Sequence, residues 1–160
     1  MRAIVVYDTS YGNTAVIAEA IKSGLGDDAT AREVETLDAS DLSKFDLLVI
    51  GSPTQSGRAT PSVRTWISQI PGAVVRRLQF VAFDTRLPTD GLLGAIMQIV
   101  GHAAPRISHS LRSRGATEIA PAHGFIVTGK AGPLADKEKE RAVAWGQSLA
   151  RHWNMHNSGV

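Results

Sequence analysis

The sequence contains no cysteine. That excludes a disulfide framework, a thiolate metal site and a cysteine nucleophile. It has no apolar run approaching the roughly 18 residues a membrane-spanning helix needs. The opening Met1–Asp8 turns acidic too soon to read as a signal peptide, so a soluble cytoplasmic protein is the expectation. Neither sign of charge dominates: 17 Lys and Arg stand against 15 Asp and Glu in 160 residues, too small a surplus to mark a nucleic-acid binder. Also missing are the Gly-Lys-Ser/Thr of a triphosphate loop, the three-glycine dinucleotide fingerprint and a serine nucleophile elbow.

What is present is a chain of about one domain's length, 43% hydrophobic, with enough apolar material for a buried core. Its charge is unevenly spread. Residues 1–57 carry a balance of −5, residues 58–114 carry eight arginines and a balance of +6, and residues 115–160 carry +1. The arginine-rich middle either solvates helices or faces an anionic ligand or acidic partner.

Strand and helix patterns alternate from the start. Ala3–Tyr7, Phe45–Ile50 and Gln79–Phe83 are continuous apolar runs, as in parallel strands covered on both faces. Thr30–Leu37 reads as a more exposed edge strand. Thr117–Ala120 and Gly124–Val127 read as a last strand interrupted at Pro121-Ala122-His123. Between them, Ile17, Ile21 and Leu25 mark a helix from Asn13. Val63, Trp66, Ile67 and Ile70 mark another begun by Thr60-Pro61, and Ala142–Trp153 a last one. Residues 91–115 are expected to be helical in parts, divided or kinked at Pro105. The expected fold is a single α/β domain over 1–153, a doubly wound five-stranded parallel sheet with helices on both faces, followed by a tail at 154–160. In such sheets the ligand sits beyond the carboxyl ends of the strands, so the segment after each strand is where chemistry is sought.

After the first strand stands Asp8-Thr9-Ser10-Tyr11-Gly12-Asn13-Thr14, rich in hydroxyls and immediately before a helix. Free amides at a helix N-terminus together with hydroxyl donors suit a phosphate. With no lysine or arginine in the loop, the implied ligand is a phosphate monoester rather than a triphosphate.

The run Val5–Ile21 resembles the signature of the flavodoxins: two aliphatics and an aromatic, then Thr or Ser, a small residue, an obligatory Thr, and a later Ala and aliphatic, with every constrained position matched. The resemblance implies the strand order 2-1-3-4-5 and FMN as a noncovalent cofactor. It assigns the FMN phosphate to Thr9, Ser10, Gly12, Asn13 and Thr14, with Tyr11 bordering it. Gly51–Arg58 is similar to the first flavin-ring loop of the family, which assigns Ser52, Pro53, Thr54, Gln55, Gly57 and Arg58. Phe83–Pro88 corresponds to the second ring loop, with Asp84, Thr85 and Arg86. The short break at residues 121–123 corresponds to the short-chain form.

Two departures stand out. Residues 52–60 and 84–90 contain no Trp, Tyr or Phe, whereas flavodoxins commonly hold the ring between aromatics from these loops. Each loop instead carries an arginine, and a guanidinium at the ring would favour the reduced anionic flavin and raise its potential. The implied function is therefore an electron-transport flavoprotein that docks a redox partner protein. The alternatives are a small oxidoreductase passing hydride from NAD(P)H to a quinone-type acceptor, and an interaction protein that has lost the flavin. No catalytic residue is assigned. A receiver domain is excluded because Ile50-Gly51-Ser52 stands where its strand-ending aspartate would be. Asp84 with His102 or His109 is a weak acid–base candidate. His152 and His156, four apart, are read as a solvated end rather than a metal site.

Overall fold

The computed structural model describes residues 1–159. Its elements are β1 (Ala3–Tyr7), α1 (Asn13–Leu25), β2 (Thr30–Glu33), β3 (Leu47–Pro53), α2 (Pro61–Ser68), α3 (Gly72–Val75), β4 (Gln79–Arg86), α4 (Gly91–Val100), α5 (Ala103–Ser113), β5 (Thr117–Glu118), β6 (His123–Ile126) and α6 (Glu138–Asn157). Short 3-10 turns at Val34–Thr36 and Ala39–Lys44 lead from β2 into β3.

All the strands pair in parallel, in the order β2-β1-β3-β4-β5. The last position is occupied twice. β5 pairs with β4 at Gln79 and Phe80, and β6 takes over from Phe83 to Arg86. The break, expected at residues 121–123, spans residues 119–122 and interrupts one strand position without adding another. Because successive side chains on a strand point to opposite faces, the apolar runs divide cleanly. Ile4, Val6, Leu48, Ile50, Phe80 and Ala82 meet Val63, Trp66 and Ile67 of α2 and Ile107 and Leu111 of α5. On the other face Ala3, Val5, Leu47, Val49, Val81 and Phe83 meet Ile17 and Ile21 of α1 and Leu149 of α6. The indole of Trp66 donates to the Leu37 carbonyl oxygen at 2.7 Å, which fixes it in the core.

Helix α1 and helix α6 approach through glycines. A Cβ at Gly24 would collide with the Val143 carbonyl oxygen, and one at Gly146 with that of Ile21. The backbones thus lie almost in contact, and α6 clamps the helix that begins at the first strand's exit.

Two local expectations are corrected. The break in 91–115 falls at Gly101-His102, where Gly101 adopts φ +92°, a left-handed conformation that favours glycine. Pro105 sits in the first turn of α5, where its missing N–H costs nothing. The helix expected to end near 153 continues to Asn157, so His152 and His156 are one turn apart with ring centroids 4.1 Å apart. Among the described residues no group of three or more His, Asp or Glu is placed to hold a metal ion, and no helix is long and apolar enough to cross a membrane.

Candidate cofactor cleft at the strand carboxyl ends

A cleft of about 510 Å³ opens where β1, β3 and β4 end. Parallel strands make this location inevitable: each strand's exit loop leaves the sheet at the same edge, and the loops rise around a common hollow.

Its first wall is the segment 8–14. Asp8 accepts the Thr9 amide at 2.9 Å through Oδ1, and Thr9 Oγ1 accepts the Gly12 amide at 2.9 Å. These two bonds curl the loop. Gly12, at φ +91°, turns it into α1. The amides of Asn13, Thr14 and Ala15 then fall in the first helical turn, where an α-helix offers no acceptor. Among the described residues they find no backbone partner. Asn13 and Thr14 border the cleft beside Thr9 and Ser10, and this group of donors suits a phosphate monoester.

Thr14 is buried, and its Oγ1 lies 2.8 Å from Thr85 Oγ1 on β4. One hydroxyl proton is spent between the two oxygens, which leaves the pair one further proton to donate. Thr14 thus joins the 8–14 wall to the β4 exit. A second tie crosses the mouth of the cleft, where Gln55 Nε2 donates to Ser10 Oγ at 3.0 Å.

The β3 exit, Thr54–Arg58, is a tight turn. Gln55 and Arg58 exchange backbone hydrogen bonds of 2.8 and 3.0 Å, and Ser56 and Gly57 both take positive φ. Pro53, Thr54, Gln55 and Ser56 border the cleft. Thr54 Oγ1 turns away to accept the Ala103 amide at 3.0 Å. Ser52 is wholly buried, its Oγ donating to the Pro53 carbonyl and accepting the Thr60 amide, so its work is to hold the turn. Gly57 packs against Val100. Arg58 lies beyond the turn, in a separate groove between α2 and α5.

At the β4 exit, Asp84 is fully buried and grips Arg86 with both oxygens, at 2.6 and 2.8 Å, while also accepting the Ala104 amide at 2.8 Å. Arg86 borders the cleft as half of an ion pair. Its guanidinium lies across Gly124, where a Cβ would collide with it. Asp84 is thereby committed and forms no acid–base pair with His102 or His109. Burial, and then the charge of Arg86, hold the His102 imidazole below its ordinary pKa.

Of the residues expected from sequence, Thr9, Ser10, Tyr11, Asn13, Thr14, Pro53, Thr54, Gln55, Thr85 and Arg86 border one cleft. Gly12, Ser52, Gly57 and Asp84 shape its walls from behind, and Arg58 stands apart. Four further residues border it that sequence reasoning does not assign: Ser56, Leu87, Val127 and Lys130. Lys130 lies in the glycine-flanked loop after β6, and the neighbouring Gly132 abuts the Asn13 side chain. The signal for Lys130 is its place after the last strand, whose exit faces the same crevice as the first three. The cleft's remaining apolar lining is aliphatic, Leu87 and Val127, with Tyr11 as its aromatic.

Behind the β6 wall sits a charged network. Glu138 accepts the Ile126 amide at 2.6 Å and is held by Arg141 at 2.7 and 2.8 Å. Burial pushes its carboxyl up, but these hydrogen bonds outweigh burial and bring the pKa below the ordinary value. Arg141 also reaches His123 Nε2 at 2.9 Å and the Gly124 carbonyl at 2.8 Å. A guanidinium can only donate, so Nε2 is the acceptor and the imidazole carries its proton on Nδ1. Burial first, and Arg141 second, lower the His123 pKa.

A doubly wound parallel sheet whose strand exits enclose a hydroxyl-rich, phosphate-type cleft defines the flavodoxin-like class of α/β proteins. A family model described as "Flavodoxin domain" matches residues 4–87, more than half of the chain. The chain belongs to the flavodoxin domain family. No curated relative matches it. Among solved structures it resembles a flavodoxin from the domain Archaea, at 21% identity and a TM-score of 0.75, covering 94% of this chain and 97% of that one. It resembles flavodoxin 1 from Bacillus cereus at 15% identity and a TM-score of 0.70, covering 95% and 99%. The flavodiiron core of Flv1 from Synechocystis matches at 20% identity and a TM-score of 0.73, over 97% of this chain and 36% of that one. At these identities the structural likeness speaks for the fold.

Proposed function

We propose that this protein binds FMN noncovalently in the cleft and serves as an electron carrier between redox partner proteins. The observation that carries the reading is the phosphate wall. Asn13 and Thr14, whose first-turn amides have no backbone acceptor among the described residues, border one hollow with Thr9 and Ser10, and the Thr14–Thr85 pair is able to donate one more proton. Lys130 supplies a countercharge that the loop itself lacks.

The fit extends beyond the phosphate. The 510 Å³ volume lies within the roughly 300–1,000 Å³ of small-molecule sites. Pro53, Leu87 and Val127 offer apolar surface for a planar ring, and the Gln55–Ser10 bond fixes the turn beside it. FMN would supply the one- and two-electron redox chemistry, which no side chain here provides. Arg86, neutralised by Asp84, adds little net charge to the ring's surroundings.

The test is an FMN titration of the purified protein followed by flavin fluorescence, then anaerobic reduction with electron counting. A dissociation constant in the micromolar range or tighter, about −8 kcal/mol, is expected. Reduction should resolve into separate one-electron steps. Absence of FMN binding overturns the reading and leaves a flavin-free interaction protein. Sustained NAD(P)H consumption with FMN and a quinone acceptor assigns the protein to the reductases instead.

A further inference from the structure

Helix α4 is unlike the rest of the surface. Its ten residues, Gly91–Val100, include no charged side chain. Leu92, Ile96 and Ile99 stand on it 82%, 49% and 87% exposed. Their spacing of four and three places them along one stripe of the helix. Contiguous apolar surface on a water-soluble fold marks a contact site rather than random exposure.

The C-terminal flank of this stripe is basic, whereas exposed Asp90 precedes its first turn. The C-terminal end of α4 rests on the β3 exit turn, where Val100 packs on Gly57. Arg106 donates to the Val100 carbonyl oxygen at 3.1 Å, and Arg58 follows Gly57 directly. With Arg64 these two arginines border a groove of about 560 Å³ between α2 and α5, floored by Ile67, Ile107 and Pro105. No carboxylate borders the groove, and among the described residues none of the three arginines has an acidic partner. The other side of the same turn, at Gln55 and Ser56, borders the cofactor cleft.

We infer that the α4 stripe and the arginine groove form one docking face for an acidic electron-carrier protein, whose contact surface has an apolar centre ringed by carboxylates. This rests on the electron-transfer reading above and names the partner chemistry for it. An apolar anchor beside desolvatable arginines is the arrangement of an interface core with a charged rim. Three unpaired guanidinia select an acidic partner and repel a basic one, and they steer its approach. The shared turn puts such a partner beside the cleft mouth, where electrons must leave.

The test measures binding of two carrier probes, a plant-type two-iron ferredoxin (acidic) and mitochondrial cytochrome c (basic), to FMN-loaded and flavin-free protein by biolayer interferometry at low and high salt. The acidic probe should bind, weaken with salt, and bind at least about tenfold more tightly than the basic one. The doubles Leu92→Ser/Ile99→Ser and Arg64→Glu/Arg106→Glu should each cost at least about tenfold in that affinity, with FMN affinity and melting temperature unchanged. Equal or tighter binding of cytochrome c, no binding of ferredoxin, or indifference to both double variants overturns the proposal. So does a dimer in analytical ultracentrifugation that Leu92→Ser/Ile99→Ser dissolves while ferredoxin binding persists, since the occupant is then a second copy. Capture by phosphatidylglycerol vesicles without ferredoxin binding reassigns the face to lipid. Salt-sensitive ferredoxin binding in a protein that never takes up FMN keeps the docking face and overturns the electron-transfer reading alone.

Discussion

The two ends of the cleft are built on opposite principles. At the phosphate end, donors are left open: first-turn amides without acceptors, two surface hydroxyls, and a threonine pair with a proton to spare. At the β4 exit every charge is already answered, with Asp84 saturated by Arg86 and the Ala104 amide, and Arg86 pressed across Gly124. One end curls on itself and leaves donors facing the cleft. The other is a structural joint that happens to border a cavity. Proximity to a site and participation in it are therefore different properties, and hydrogen-bond accounting separates them.

Substitutions at the two ends should separate fold from binding. Asp84→Ala strips a buried ion pair of one member and should cost about 3 kcal/mol of stability by urea denaturation. A loss in FMN affinity without that destabilisation would make Asp84 a ligand rather than a joint. Thr14→Val keeps the shape of the side chain but removes its hydroxyl, and should weaken FMN about tenfold or more by fluorescence titration. Unchanged affinity would move the phosphate elsewhere. Lys130→Gln should cost only about two- to fivefold, and the difference from wild type should fade as salt rises, because this ammonium is exposed.

The smallest effect belongs to His123. Its folded pKa lies below the ordinary value, so the unfolded chain binds more protons in the window beneath about pH 6.5. The stability that neutral His123 contributes is present above that window and is lost as pH falls through the folded pKa. Urea midpoints should therefore drop on acidification, less steeply in His123→Gln. Glu138 adds an acid loss of its own below the ordinary carboxylate range, since its folded pKa is also lowered. A profile identical in wild type and His123→Gln would remove the histidine from the account.

Much of this was legible in the sequence because parallel sheets are covered on both faces. The apolar runs of β1, β3 and β4 stand out by their continuity, and the hydroxyl density after Tyr7 marks a segment that borders the cleft. What sequence could not supply was side-chain direction. Arg58 and Arg86 read alike as arginines in ring loops, yet one turn sends Arg58 over the far side and one aspartate two residues away neutralises Arg86. The helix break was misassigned to Pro105 because proline is the louder signal, although first-turn positions tolerate it. A lone lysine between glycines has no periodicity to mark it, and only the folded loop after β6, whose Gly132 abuts the Asn13 side chain, brings Lys130 to the cleft.

The glycine-to-glycine seam between α1 and α6 sets an order of events in the making of the molecule. α1 starts at the phosphate wall, but the face it turns from the sheet is covered by a helix that begins 125 residues later, at Glu138. A contact of such sequence separation forms late, since the intervening chain must close first. The segment 8–14 that leads into α1 thus gains this support only once α6 has docked. Until α6 docks, α1 lacks its outer cover, and the 8–14 wall of the cleft lacks the backing of that helix pair.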